Sequence, residues 1–404
     1  MEIFHLLHCY LSNTKVGIMK IKVSVYNDHH RKLLKTNPIY EKIENIDGKN
    51  VEISREDFLI YSLFKEQKNH QGYERFSDFR KKLPDRIVKL NEYLKGDSKT
   101  ITAVFNNAQE QQEVTENVGI GAGLSVISQL HGLTEADWNI IPVTRDKDLD
   151  YSISSDGKNI VEVECKGTFD DPKLKTSSVS NMRNDIEKKK NFQRKNVHNK
   201  NLLYGVITSY NNNPDELAHC RILDPNSDNE YESPWKLRLL SRLSFYLREL
   251  NLISKSHFLI ALANKLQTLN YFDVEEIKNT DHLSLSRADG EPFPFPVSFE
   301  HHKTRILDNS GFGEVFRVGK NKYLFYGFRD EVVETLIKQN YSEITKMKFL
   351  PKTINTGIKA KLRKRDIEPD TYFQETQHGY AEQQLYGKIQ QTSAGRLFGI
   401  FNYG

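Results

Sequence analysis

The sequence predicts an α/β fold in which a mixed sheet flanked by helices fills the middle of the chain, between N- and C-terminal α+β regions. Three observations carry this. Residues 111–250 run helix, strand, strand, helix, strand, strand, helix, an order that packs helices against a mixed sheet. The strand runs are either strictly alternating or wholly apolar and short, as half-buried and buried strands are. Of 404 residues, 37% are hydrophobic, with 22 Phe and 19 Tyr, enough ring surface to fill a core and to exclude wholesale disorder. The length suggests two or three domains. Shifts in character divide the chain at 1–105, 106–255 and 256–404.

In the first stretch, KIKVSVY (Lys20–Tyr26) alternates with period two and reads as a strand. SREDFLIYSLFKEQ opens with Ser and acidic residues, a helix start, and residues 76–95 keep helical spacing until Gly96. In the middle, Gln111–Leu133 carries an apolar stripe of Val114, Val118, Leu124, Ile127 and Leu130. Its three glycines lower helix propensity but let another backbone come close. WNIIPVTR and LDYSIS are extended, and GKNIVEVECKGT is a turn and a strand. A basic helix over 181–200 precedes the strands Leu202–Tyr210 and His219–Pro225, and residues 233–250 form an amphipathic helix. Beyond, HFLIALANKLQTL is helical, Pro292–Pro296 marks a boundary, and GEVFRVGKNKYLFYGF is a hairpin turning at Gly319–Asn321.

Charge and cysteine content narrow the class. Fifty-eight basic and 54 acidic residues leave +4, compatible with a phosphate-backbone ligand without demanding one. Cys9, Cys165 and Cys220 are few, odd in number and far apart, which suits a reducing compartment and excludes a disulfide scaffold. No apolar run reaches bilayer length, and the opening MEIFHLLHCYLS lacks the basic start of a secretory signal. The expectation is a cytoplasmic protein.

The chemistry concentrates between Asp148 and Lys166. Alternation places Glu162, Glu164 and Lys166 on one strand face over about 13 Å, with Val161, Val163 and Cys165 opposite. In the preceding segment Asp148, Asp150 and Ser152 share a face. If the two segments are neighbours, Asp150 and Glu164 converge with Lys166 beside them. Paired carboxylates repel and call for a cation, and oxygen ligands select Mg²⁺ or Mn²⁺. An ammonium there can orient water and stabilise charge on a phosphate oxygen. The competing reading is a half-exposed antiparallel hairpin whose solvent face carries Glu162, Glu164 and Lys166 in cross-strand pairs.

Asp150 followed by Glu164-Cys165-Lys166 at a strand end resembles the PD-(D/E)XK nucleases, the restriction-endonuclease-like superfamily, over residues 108–225. The resemblance implies an αβββαβ core and a Mg²⁺-dependent endonuclease, Mn²⁺ substituting, acting on DNA, with double-stranded DNA the expected partner and a homodimer or higher oligomer the expected assembly. It implies Asp150 and Glu164 as metal ligands, the Cys165 backbone carbonyl as another, and Lys166 as the water-orienting cation. Glu116, with Glu113 as competitor, occupies the place of the helix glutamate as accessory acid or further ligand. Leu149 stands where the family's proline would be, and Asp148 remains an alternative to Asp150. A restriction or anti-phage defence role follows by analogy. A non-catalytic nucleic-acid-binding or sensor protein on the same core is the rival.

Lys188, Lys189, Arg194 and Lys195 on the basic helix are candidates for phosphate contact, a solvated helix face being the alternative. Gln193 is a further candidate neighbour of the site. A second basic run, Lys359, Lys361, Arg363, Lys364 and Arg365, suits either a nucleic-acid surface or an exposed loop. SGFGEVFRVGK lacks the partners of a kinase or phosphate-binding loop, and adjacent His301 and His302 point apart in a strand, which makes them a poor ligand pair.

Overall fold

The computed structural model describes residues 17–35, 37, 39–62, 99–103, 105, 107–139, 151–169, 178–196, 201–225, 233–253, 256–293, 304–308, 310–363 and 380–403. They fall into two compact units, one from Ile18 to Ser241 and the other from Arg242 onward.

In the first unit, the alternation of KIKVSVY becomes β1 (Ile18–Val25), which buries Met19, Ile21, Val23 and Val25. Asn27 ends it and caps α1 (Asp28–Leu34) by accepting from the His30 N–H. Then come α2 (Tyr40–Glu44), β2 (Asn50–Ser54), α3 (Arg55–Ser62) and the long α4 (Ala108–His131). Gly132 closes α4 at φ 63°, the left-handed cap that glycine adopts without cost. There follow β3 (Tyr151–Ser155), β4 (Ile160–Phe169), α5 (Ser178–Asn196), β5 (Leu202–Tyr210) and β6 (His219–Leu223). The helix α6 (Pro234–Ile253) passes into the second unit at Arg242.

These strands form one sheet in the order β2-β1-β6-β5-β4-β3. It is mixed: β1 runs parallel to β6 and β4 to β5, and the remaining pairs are antiparallel. Two strands from the first 105 residues therefore share the sheet of the middle region. Every residue of β5 is buried, as expected of a central strand covered on both faces.

The half-exposed hairpin reading of GKNIVEVECKGT is corrected in its exposure: β3 and β4 do pair antiparallel, but the polar face of β4 is covered. β4 runs parallel to β5, and Glu162 and Glu164 on its polar face are buried. Helices close both sides. From α4, Gly123 lies over the Cys165 side chain, and a Cβ at Gly119 would come within 2.4 Å of Gly167 N. From α5, Lys189 reaches Glu164.

The second unit contains α7 (His257–Tyr271), α8 (Val274–Lys278), β7 (Thr304–Ile306), β8 (Gly311–Gly319) and β9 (Lys322–Arg329), then α9 (Asp330–Lys338), α10 (Tyr341–Lys346), β10 (Lys352–Arg363), β11 (Tyr380–Gln391) and β12 (Arg396–Tyr403). The strands close into a barrel ordered β10-β11-β12-β9-β8-β7. Tyr323, Phe325, Ile358, Leu362, Leu385 and Phe401 fill it. The hairpin turns at Gly319–Asn321, Asn321 taking φ 54°.

The exposed-loop reading of the second basic run is corrected for its first half. Lys359 to Arg363 lie in β10, where Ile358, Ala360 and Leu362 face the barrel core and Lys359 pairs with Glu382 on β11. Lys364 and Arg365 lie outside the described residues, as do His301 and His302. Among the described residues no helix is long and apolar enough to cross a membrane.

Candidate functional site

The site is built on β4 because its two faces do different work. Val161, Val163 and Cys165 turn towards the core, and small residues on α4 let that helix lie almost on the strand backbone. An added Cβ at Gly167 would sit 1.9 Å from the Thr115 carbonyl oxygen. That approach sets the turn of α4 carrying Glu116 against Lys166 and Gly167. Glu116 is half-buried and accepts from Gln112 Nε2 at 3.4 Å.

On the opposite face, Glu164 has no exposed surface. Its Oε1 accepts from two ammonium groups, Lys166 Nζ at 2.7 Å and Lys189 Nζ at 2.9 Å. Lys166 also lies 3.5 Å from Asp185 Oδ2. Two carboxylates and two ammoniums thus alternate and balance, which is what makes burial of Glu164 tolerable. Exposure within the cluster falls from Asp185, at 53%, through Lys166, at 25%, and Lys189, at 12%, to Glu164, at 0%. Two residues earlier on β4, Glu162 is buried and takes a hydrogen bond from Asn201 Nδ2 at 2.6 Å.

Glu164 and Lys166 are therefore brought together, with the helix of Glu116 packed alongside. Asp150 lies outside the described residues, as does Asp148. The strand that follows, β3, begins with Tyr151 opposite Val163, the neighbour of Glu164. Of the basic candidates on α5, Lys188 and Lys195 are exposed, Lys189 is held by Glu164, and Arg194 donates to the Pro225 carbonyl at 3.3 Å. Gln193 is buried.

Of the expected oxygen donors, the Glu164 carboxylate and the Cys165 carbonyl belong to β4, whereas Glu116 lies on α4, which packs against the opposite face of that strand. That chemistry fits a hard divalent cation such as Mg²⁺ or Mn²⁺. With two ammoniums already on Oε1, entry of the ion would require one of them to withdraw.

A second charged cluster lies on the next stripe of α5 and went unread in the sequence. Glu187 and Lys190 face His30 at the start of α1 and Asp224 just after β6. The spacing of Asp185 with Lys189 and of Glu187 with Lys190 was the available signal, because i,i+4 and i,i+3 pairs define two separate helix stripes. Nothing local marks His30 or Asp224 as their partners.

A third array is structural. His131, in the last turn of α4, joins Asp156 Oδ2 at 2.8 Å and the Tyr204 hydroxyl at 2.9 Å. Burial alone would raise the Asp156 pKa. Hydrogen bonds from His131 and from the Asn159 and Lys158 N–H groups outweigh it and hold the carboxyl well below its ordinary value.

No protein-family model, curated protein or solved structure matches this chain.

Proposed function

We propose that this protein is a divalent-metal-dependent endonuclease with a PD-(D/E)XK, restriction-endonuclease-like core, hydrolysing phosphodiester bonds of double-stranded DNA. The observation that carries the reading is the fully buried Glu164 carboxylate at 2.7 Å from the partly exposed Lys166 ammonium, two residues along the same strand. A charged pair has little reason to be buried for stability alone, since desolvation offsets most of the Coulomb gain.

In this mechanism Glu164, Asp150 and the Cys165 carbonyl would hold Mg²⁺, with Glu116 as a further ligand or accessory acid. The ion would supply positive charge at the scissile phosphate. Lys166 positions the attacking water by hydrogen bonding and offsets charge that grows on the phosphate oxygens. Glu164 fixes the Lys166 ammonium in place, and the walls of β4 and its two helices exclude bulk water from the carboxylate. Exposed Lys188 and Lys195 would meet the DNA backbone. Cutting both strands with one centre per chain would require a dimer, and restriction or anti-phage defence is the role such an enzyme suits.

The test is incubation of plasmid, linear duplex and single-stranded substrates with Mg²⁺, Mn²⁺ or chelator, comparing wild type with Glu164→Ala and Lys166→Ala. Cleavage requiring the metal and falling at least about 10²-fold in each variant supports the reading. Metal-dependent cleavage that survives Glu164→Ala unchanged refutes it.

The contact of Lys189 with the same Glu164 oxygen favours a second reading. A carboxylate neutralised by two lysines suits a non-catalytic nucleic-acid-binding protein on a nuclease-like core. Lys189→Met separates the two. In the enzyme, removing the competing cation lowers the Mg²⁺ concentration for half-maximal cleavage. In the binding protein, neither wild type nor variant cleaves under any metal, while DNA retention still falls with salt.

A further inference from the structure

We propose that His30, Glu187 and Asp224 form a metal site separate from the one at Glu164, suited to a borderline divalent ion such as Zn²⁺. One ligand atom from each of the three lies within 4.8 Å of the other two, although the residues come from α1, α5 and the end of β6. His30 and Asp224 are buried, at 1% and 2% exposure.

Unpartnered buried atoms point to a missing cation. A carboxylate can only accept, so the 2.5 Å contact between His30 Nδ1 and Asp224 Oδ1 places the ring proton on Nδ1. The other ring nitrogen, Nε2, faces Glu187 Oε1 at 3.8 Å. His30 Nε2, Glu187 Oε1 and Asp224 Oδ2 are all buried without a hydrogen-bond partner. Three buried polar atoms without a partner, on side chains this close together, call for a group that can engage them.

Lys190 does not fill that role. Its ammonium stands 3.9 Å from both carboxylates and donates instead to the Asp224 main-chain carbonyl. A metal would satisfy the three atoms together. Ligand bonds of about 2.0–2.2 Å require donors roughly 3.4 Å apart, so the three side chains would close in from their present spacing within 4.8 Å, Asp224 leaving His30 Nδ1 to join the ion. One imidazole with two carboxylates favours Zn²⁺ or Mn²⁺ over Mg²⁺. The ion would tie α1 and the end of β6 to α5, the helix that also presents Lys189 to Glu164.

The full chain, freed of metal by chelator, is titrated with Zn²⁺ by calorimetry in excess Mg²⁺, for wild type, Glu164→Gln, His30→Gln and Glu187→Gln. The expected result is one Zn²⁺ per chain in wild type and in Glu164→Gln, at least about tenfold weaker in the other two. A rise in thermal midpoint with Zn²⁺ should disappear in the same pair. Because His30 is buried, circular dichroism checks the fold of its variant, and the half-buried Glu187 provides an independent arm. Absence of Zn²⁺ binding in folded wild type overturns the proposal. Zn²⁺ lost in Glu164→Gln but retained in Glu187→Gln overturns it too, assigning the ion to the other cluster. Neither result depends on cleavage, so the nuclease reading stands or falls separately.

Discussion

Gly119→Ala tests the contact that seats α4 on β4. A Cβ there would lie 2.4 Å from Gly167 N and 2.6 Å from both Gly167 Cα and Lys166 C. Ordinary contact begins near 3.4 Å, so helix and strand must part by about 1 Å. The opposing atoms are backbone, and no rotamer change relieves the clash. Overpacking of this kind costs about 1–3 kcal/mol. Alanine returns about 0.8–1.0 kcal/mol of helix propensity, and the net expectation is a loss of about 1–2 kcal/mol. Both tryptophans of the chain, Trp138 and Trp235, belong to the first unit, so urea unfolding followed by tryptophan fluorescence reports on it directly. The same displacement moves the Glu116 turn relative to Lys166, and a misplacement of about 1 Å can cost up to about 10²-fold in rate. Gly132→Ala is the control: its Cβ meets nothing within 4 Å, but φ is +63°. It should lose about 1–2 kcal/mol through backbone strain while leaving cleavage unchanged. A Gly119→Ala protein as stable as wild type, or more so, would refute the account of this packing.

In the second unit, Arg396 is buried with its Nη1 2.9 Å from Glu249 Oε2, and its guanidinium lies 5.1 Å from the Tyr326 ring centre. Glu249→Ala strands that cation, and a loss of about 3–5 kcal/mol is expected by near-ultraviolet circular dichroism on heating; a change under 1 kcal/mol would contradict it. Acid stability should fall in two limbs. Burial, with Arg221 and Lys22 nearby, lowers the His219 pKa to about 4, so the unfolded chain takes up this proton first and stability drops from about pH 6.5 towards 4. The depressed Asp156 carboxyl contributes stability that is fully present above its unfolded value of about 3.9 and lost as the pH falls below it. Urea midpoints should show the upper limb gone in His219→Gln and the lower limb flattened in Asp156→Asn. Lys188→Gln and Lys195→Gln should each reduce the slope of log K against log salt for DNA binding by about 1, without changing sequence preference; unchanged slopes would remove that helix face from the interface.

Much of the fold was legible wherever a period could be read locally. β1, α4, β4, β5 and the β8–β9 hairpin stand where alternation, helical spacing or turn residues place them. The barrel was not, although ILE-Lys-Ala-Lys-Leu-Arg at 358–363 alternates as strictly as Val-Glu-Val-Glu-Cys-Lys at 161–166. Charge density drew the reading towards a loop in one case and towards a site in the other. The same pattern meets opposite fates: Lys359 is 56% exposed on its side chain and Glu164 wholly buried. Alternation fixes which residues share a face and says nothing of what covers that face. In the barrel wall the core takes only the inner side, so the charged side keeps its water. In β4 a second layer arrives, because α5 returns the chain to a parallel partner strand and lays Lys189 over Glu164. A parallel connection of that kind needs a crossover helix, and the helix is what converts a polar strand face into a buried one. The fate of Glu164 was thus written in residues 178–210 rather than beside it, and His30 met Glu187 and Asp224 for the same reason, at the far stripe of that crossover.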